Sequence, residues 1–291
     1  MTTLVETPVG AAAAAVAPTG APGPAPQQRT GAPLGRGSGL TLGVVTLALS
    51  LLVLLPLAAV AAEAWSTGWS GFWAAVTAPA AVDALVLTVT SSFVVTAVNV
   101  VMGTLLAWVL VRDDFPGKRW VELVIDVPFA LPTIVAGLVI LSVYGRNSPV
   151  GIDLFGTRWG VMVALLFVTL PFVARTVQPT LMAFDRDTEH AAATLGARPR
   201  TVFRRIVLPP LVPAIAAGAA LAFARAMGEY GSVLLISGGL DRTQVSSMYA
   251  FSLYESYDFP GAAATATVLL VVSLVVLVGF EIVSHRAGRR G

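Results

Sequence analysis

Apolar residues fall into six long blocks, at about 40–62, 84–111, 121–144, 159–183, 210–237 and 262–283, separated by shorter polar segments. Each block holds the roughly 20 residues that a helix needs to cross a ~30 Å hydrocarbon core. Strict alternation of apolar and polar positions, the pattern of a membrane barrel strand, is absent. The pattern therefore predicts an all-α polytopic membrane protein with six transmembrane helices. The second block is long enough to tilt or to extend beyond the bilayer. Pro128 and Pro132 interrupt the third block, and Pro171 and Pro179 the fourth. These predict kinks whose freed backbone groups are satisfied by neighbouring helices. Packing kinks and gating hinges both remain open.

The blocks do not begin at once. Residues 1–39 are rich in Ala, Pro and Gly, with few charges. Such a segment buries too little apolar surface to offset its ordering entropy, which predicts a disordered tail. Its start lacks the basic residues of a signal peptide. Residues 40–285 form the transmembrane domain, and 286–291 a short basic C-terminus.

Composition narrows the classes. The chain is 56% hydrophobic and 12% charged, about half the charge usual for a soluble domain. A formal charge of +2 gives no reason to expect nucleic acid as a partner. With no cysteine and only His190 and His285, disulfides, thiolate sites and histidine-rich metal sites are excluded or improbable. No nucleophile–base or metal constellation of a membrane enzyme is visible. Lys118, the only lysine, is followed by Arg119, and no glycine stands five residues before it. The chain thus lacks a phosphate-binding loop of the GxxxxGK[ST] kind; ATP, if used, is bound by another chain.

Basic residues orient the spans. With the N-terminus inside, thirteen of them fall on the inner side: Arg29, Arg36, Arg112, Lys118, Arg119, Arg186, Arg198, Arg200, Arg204, Arg205, Arg286, Arg289 and Arg290. Only Arg146, Arg158 and Arg242 fall outside. Both termini and the loop at about 185–209 are expected in the cytoplasm. The outer loops carry Glu63, Asp153, Asp241, Glu255 and Asp258. Such a face does not attract an anion, so the chain is a poor first receptor for one.

The loop at 185–209 is patterned. Asp187 or Thr188 can cap a helix, with Glu189 in its first turn, where the helix dipole favours a negative charge. Ala191, Ala192 and Leu195 share one small apolar face. Gly196 suits the left-handed residue that ends a helix, and Pro199 the first turn of the next. On that second helix Val202, Phe203 and Ile206 make an apolar face, Arg200 and Arg204 a basic one, and Pro209 and Pro210 open the fifth span. The expectation is a rigid finger of two short helices. Phe203 could anchor it in a partner's pocket. A hairpin lying on the headgroups, its arginines drawn to anionic lipid, fits the same pattern.

The order Ala191-Ala192, Gly196, Ile206 and Leu208-Pro209 resembles the EAA motif of ABC importer permeases. In that motif Glu-Ala-Ala, three residues, Gly, nine residues, Ile, one residue and Leu-Pro recur in order. His190 stands at the glutamate position, with Glu189 one place earlier. From about residue 40 onward, Phe129-Ala130-Leu131-Pro132-Thr133, the run Pro171 to Pro179, and Gly228-Glu229-Tyr230-Gly231 are similar to the T-type permease subunits of sulfate/thiosulfate importers. The resemblance implies a type I ABC importer permease (MetI-like) fold. It also implies that Glu189, His190, Ala191, Ala192, Gly196, Phe203, Ile206, Leu208 and Pro209 form the loop that couples to an ATPase. The implied partners are a W-type permease subunit, two ATPase subunits that bind ATP and Mg, and an extracytoplasmic sulfate-binding protein. No cofactor is expected on this chain. A molybdate/tungstate permease is the nearest alternative. An ion-coupled secondary anion transporter would instead call for an inverted repeat and a midplane ion site, and a non-transporting scaffold also remains.

Charges inside the spans complete the reading. Arg225 and Glu229 lie four apart in the fifth span and can pair. A structural ion pair, a lining of the translocation path and a proton relay are the three readings, since intramembrane charges are costly and face the bundle interior or water. Arg175 is expected to snorkel to the inner interface as an anchor. Asp126 lies either near the headgroups or paired across helices.

Overall fold

The computed structural model describes residues 36–288. All but the last four residues of the expected tail, and the end of the basic C-terminus, lie outside them. Contacts divide the chain after Leu52. The first unit contributes helix α1 (Arg36–Leu49), followed by a π-helical stretch, Ser50–Leu54, at the boundary. The second unit begins with α2 (Leu55–Ala64), α3 (Gly68–Val76), α4 (Pro79–Arg112), α5 (Lys118–Ala130), α6 (Thr133–Tyr144) and α7 (Arg158–Met182). It continues with α8 (Arg186–Thr194), α9 (Pro199–Val202), α10 (Leu208–Met227), α11 (Gly231–Ser237), α12 (Ser246–Glu255) and α13 (Phe259–Gly288). There is no strand among the described residues.

Among the described residues, five helical stretches are long and apolar enough to cross a membrane: Gly39–Ala64, Pro79–Arg112, Arg158–Met182, Pro199–Met227 and Phe259–Ile282. The pair α5 and α6 is also apolar and long enough when taken together, but bent by 119° at its break, the form of a broken span or of a re-entrant loop. Leu131, just before Pro132, is extended at ψ 135°, as the ring of a following proline demands by excluding the helical region. The fifth block is also discontinuous: α10 stops at Met227 and α11 starts at Gly231. A Cβ on Gly231 would stand 2.3 Å from Thr133 Oγ1, and one on Gly137 would stand 2.7 Å from Ser232 O. Both glycines are needed for α6 and α11 to touch backbone to backbone.

Among the hydrophobic clusters of the second unit, two join its long helices. One joins Leu87 and Val95 of α4, Val161 and Leu165 of α7, and Val233 and Ile236 of α11, with Val245 and Met248 closing it. The other core joins Ala107 of α4, Val173, Val177 and Leu181 of α7, and Val207 and Leu211 at the start of α10. Across the α4–α7 contact, Asn99 Nδ2 donates to Thr169 Oγ1 at 2.7 Å, both buried. Trp65, just after α2, stacks on Trp69 and Phe72 of α3, and Trp73 meets both of those rings edge-on. Amphipathic aromatic rings are enriched at membrane–water interfaces.

Candidate functional site

The patterned loop is built as a hairpin on the end of α4. Helix α8 is capped by Asp185, whose carboxylate accepts the Asp187 N–H at 2.9 Å; the cap is earlier than Asp187 or Thr188. Its C-terminus closes at Gly196, φ +81°. The Gly196 N–H donates to Ala193 O and the Ala197 N–H to Ala192 O, at 2.9 and 3.1 Å. These two bonds satisfy carbonyls left open at a helix end, and they need the left-handed residue between them. Pro199 occupies the first position of α9, as its missing N–H and fixed φ favour. That helix does not end, however. It runs through a π-helical turn, Phe203–Val207, into α10. The finger is one short helix and the continuous root of the fifth span.

Next to the irregular motif position, Glu189 rather than His190 is ion-paired. Arg112, in the last turn of α4, donates to the Glu189 carboxylate. The Arg112 side chain is 8% exposed and that of Glu189 21%. The guanidinium also lies over the rings of Trp108 and Phe184, at 5.3 and 6.0 Å. Arg186 Nη2 donates to Val111 O at 3.2 Å. His190 is exposed and takes no part in this joint. Its ring borders a groove of about 290 Å³ with Glu189, Ala193 and Pro199. Arg112 had figured in the sequence only as one basic residue of the inner side. A cation in the final turn of a long span, opposite an acid in a loop helix, was the available signal.

Phe203, the expected anchor, is half-buried within the chain. Phe203 turns inward, meeting the Trp108 ring edge-on at 5.4 Å between centroids, and packs with Ile206 against the core at the root of α10. Ala192 is half-buried in the same core. Leu195 is 88% exposed at the tip of the hairpin. Leu208 is half-buried, while Ala191 and Pro209 are exposed. The loop thus presents Leu195, Ala191 and Gly196 outward and uses Phe203 to hold itself to α4.

Two charge sites lie within the bundle. Arg225 and Glu229 form an ion pair, with the Glu229 side chain 1% exposed. Glu229 Oε1 also accepts the Ser232 N–H at 2.8 Å, and Ser247 Oγ donates to Glu229 O at 2.5 Å. The carboxylate thereby bridges the break between α10 and α11, and the Glu229 backbone carbonyl ties that break to the start of α12. Arg175 is no free anchor: its Nε and Nη2 grip both oxygens of Asp126, at 2.8 and 2.5 Å. Its Nη1 donates to Gln178 Oε1 at 2.7 Å. A bidentate guanidinium–carboxylate pair of this kind is directional and strong. It clamps α7 to α5, and Asp126 has the cross-helix partner.

The described residues thus hold five membrane-length helices, the bent α5–α6 pair and an ordered hairpin before α10. Residues 99–289 match the family described as binding-protein-dependent transport system inner membrane component, and the chain belongs to that family. It is 40% identical over 262 residues to the sulfate transport system permease protein CysT of Salmonella typhimurium, covering 87% of this chain and 95% of that protein. Against the Synechocystis sp. protein of the same name, identity is 43% over 256 residues, covering 85% and 89%. Among solved structures, a chain of a bacterial alginate ABC transporter in complex with an alginate pentasaccharide-bound periplasmic protein superposes with TM-score 0.72 at 17% identity, over 85% of this chain and 93% of that one. A chain of the inward-facing MetNI methionine ABC transporter superposes with TM-score 0.56 at 18% identity, over 72% and 96%. The fold is that of type I ABC importer permeases. The chain is a transport subunit of the membrane, and not an enzyme.

Proposed function

We propose that this chain is the T-type permease subunit of an ATP-driven importer that moves sulfate and thiosulfate across the cytoplasmic membrane. The observation that carries the substrate is its 40–43% identity, over most of both lengths, to proteins named as sulfate transport system permeases. A W-type permease completes the pathway, two ATPase subunits bind ATP and Mg, and an extracytoplasmic binding protein delivers the anion. Both termini and the hairpin face the cytoplasm, in keeping with the thirteen inner basic residues.

Residues 185–209 are the coupling element. Leu195, Ala191, Gly196 and His190 meet the ATPase, whereas Glu189, Ala192, Phe203, Ile206, Leu208 and Pro209 join the hairpin to the membrane helices. Closure of the ATPase dimer displaces the hairpin. The Arg112–Glu189 pair passes the movement to α4, and the unbroken helix from Pro199 passes it to α10. A conformational change needs such differential contact in its two states. Arg225 and Glu229 act as a structural lock: a guanidinium already neutralised by a buried carboxylate is a weak site for a divalent anion.

Uptake of labelled sulfate by a strain deleted for this chain, with and without the restored gene, tests the reading. Restored uptake is expected to require the ATPase subunit and to be reduced by excess thiosulfate more than by molybdate. Uptake that persists without the ATPase, or that molybdate abolishes first, would replace this reading with one of its alternatives.

A further inference from the structure

Beside the coupling hairpin lies a second groove, of about 540 Å³, on the far side of the Trp108–Phe203 contact. Its floor is apolar, with Leu105, Trp108 and Phe203, and Arg200 and Arg204 stand at its rim. Arg205 lies next to them, sharing with both a wide concavity of the surface. Among the described residues no carboxylate lies within ion-pairing distance of Arg200, Arg204 or Arg205. Three cations within six positions are thus left uncompensated beside an apolar slot.

The other end of the groove identifies the occupant. Leu105 is 55% exposed and belongs to a row on α4, with Val98, Val101, Met102 and Val109, that is also exposed. These positions recur at the spacing of one helix face. The groove therefore continues into an apolar flank of a membrane-crossing helix, and its arginines mark the end of that flank. An amphiphile with an acyl chain and an anionic head fits both halves. A free phosphate would use only the arginines, and an acidic protein surface would leave Leu105 and the flank above it uncovered.

We propose that this groove binds one anionic phospholipid, from the leaflet at the Arg112 end of α4. Its phosphate meets Arg200 and Arg204, and an acyl chain lies along Leu105 and Trp108. Anionic headgroups attract basic residues at the surface, and guanidinium groups hold phosphate through paired N–H donors. The bound lipid wedges between α4 and the root of α10, the two elements that carry the hairpin.

The test uses the full-length chain in vesicles of phosphatidylcholine containing a small fraction of lipid brominated on its acyl chains. The headgroup of the brominated lipid is either phosphatidylglycerol or phosphatidylcholine. Bromine quenches a neighbouring indole, and the difference between wild type and Trp108→Phe isolates the Trp108 signal from the other tryptophans. Trp108 is expected to select brominated phosphatidylglycerol by roughly tenfold in apparent affinity. The preference should vanish in Arg200→Gln/Arg204→Gln, survive in Arg200→Lys/Arg204→Lys, and weaken in wild type at high salt as charges are screened. Quenching of the remaining tryptophans by brominated phosphatidylcholine reports that each variant is folded and inserted. Equal quenching by the two headgroups in wild type would overturn the proposal. So would a preference that outlasts the glutamine changes, or a Trp108 that neither lipid reaches because protein covers the groove.

Discussion

Leu195→Asp is expected to abolish co-purification of the ATPase subunit and ATP-driven uptake, while the permease still inserts and folds. Leu195 is 88% exposed, so the change removes no contact within the chain. A leucine fully buried on docking contributes about 2 kcal/mol, and an unpaired carboxylate in its place adds a desolvation cost of a few kcal/mol more. Together these correspond to an affinity loss on the order of a thousandfold. Phe203→Ala is the contrast. Because Phe203 packs on Trp108 and the core of α4 and α10, its loss should lower the melting temperature of the permease before it weakens docking. If Leu195→Asp retains the ATPase and Phe203→Ala alone releases it, the anchor is the phenylalanine and the hairpin docks by another face.

The second large effect concerns the break between α10 and α11. Arg225→Met should destabilise the folded chain by about 3–5 kcal/mol, since it strands a buried carboxylate. Glu229→Gln should cost only about 1 kcal/mol, because an amide oxygen can still accept the Ser232 N–H and the partly exposed Arg225 can turn toward water. The double change Arg225→Met/Glu229→Gln should then be milder than Arg225→Met alone. Exchanging the two residues should not rescue the pair, since a guanidinium at 229 has no acceptor for the Ser232 N–H. Thermal unfolding of the purified chain in detergent reads all four variants. Equal losses in Arg225→Met and Glu229→Gln, with rescue by exchange, would point to simple charge pairing and against the capping role of Glu229.

Much of this arrangement could be read along the chain, where the cause is local. The helix stop at Gly196 and the restart at Pro199 follow from backbone freedom at one residue and its restriction at the other. Apolar length located the spans to within about five residues except the fifth, expected at 210–237 and observed as Pro199–Met227. The breaks were harder. At Pro132 the ring signals a bend but not its size of 119°. In Gly228-Glu229-Tyr230-Gly231 the apolar average simply runs on into α11, although Glu229 was a reason to stop. Pairings between distant positions were least legible. Arg112 with Glu189 and Arg175 with Asp126 are 77 and 49 residues apart, and no pattern within one helix selects them. The contact between Phe203 and Trp108 has the same origin. An apolar face on an isolated hairpin gives no sign of which part its own protein will cover, and Trp108 covers Phe203.

Because the natural chain contains no cysteine, a single thiol can decide whether the hairpin is the ATPase contact. Leu195→Cys, labelled with a maleimide photo-crosslinker in membranes that contain the assembled transporter, is expected to give an adduct with the ATPase subunit. Ile152→Cys, exposed in the loop between α6 and α7, is expected to give none, since it lies on the opposite side of the membrane. An ATPase adduct from position 152, or its absence from position 195 in a transporter that still hydrolyses ATP, would contradict the coupling role of this hairpin.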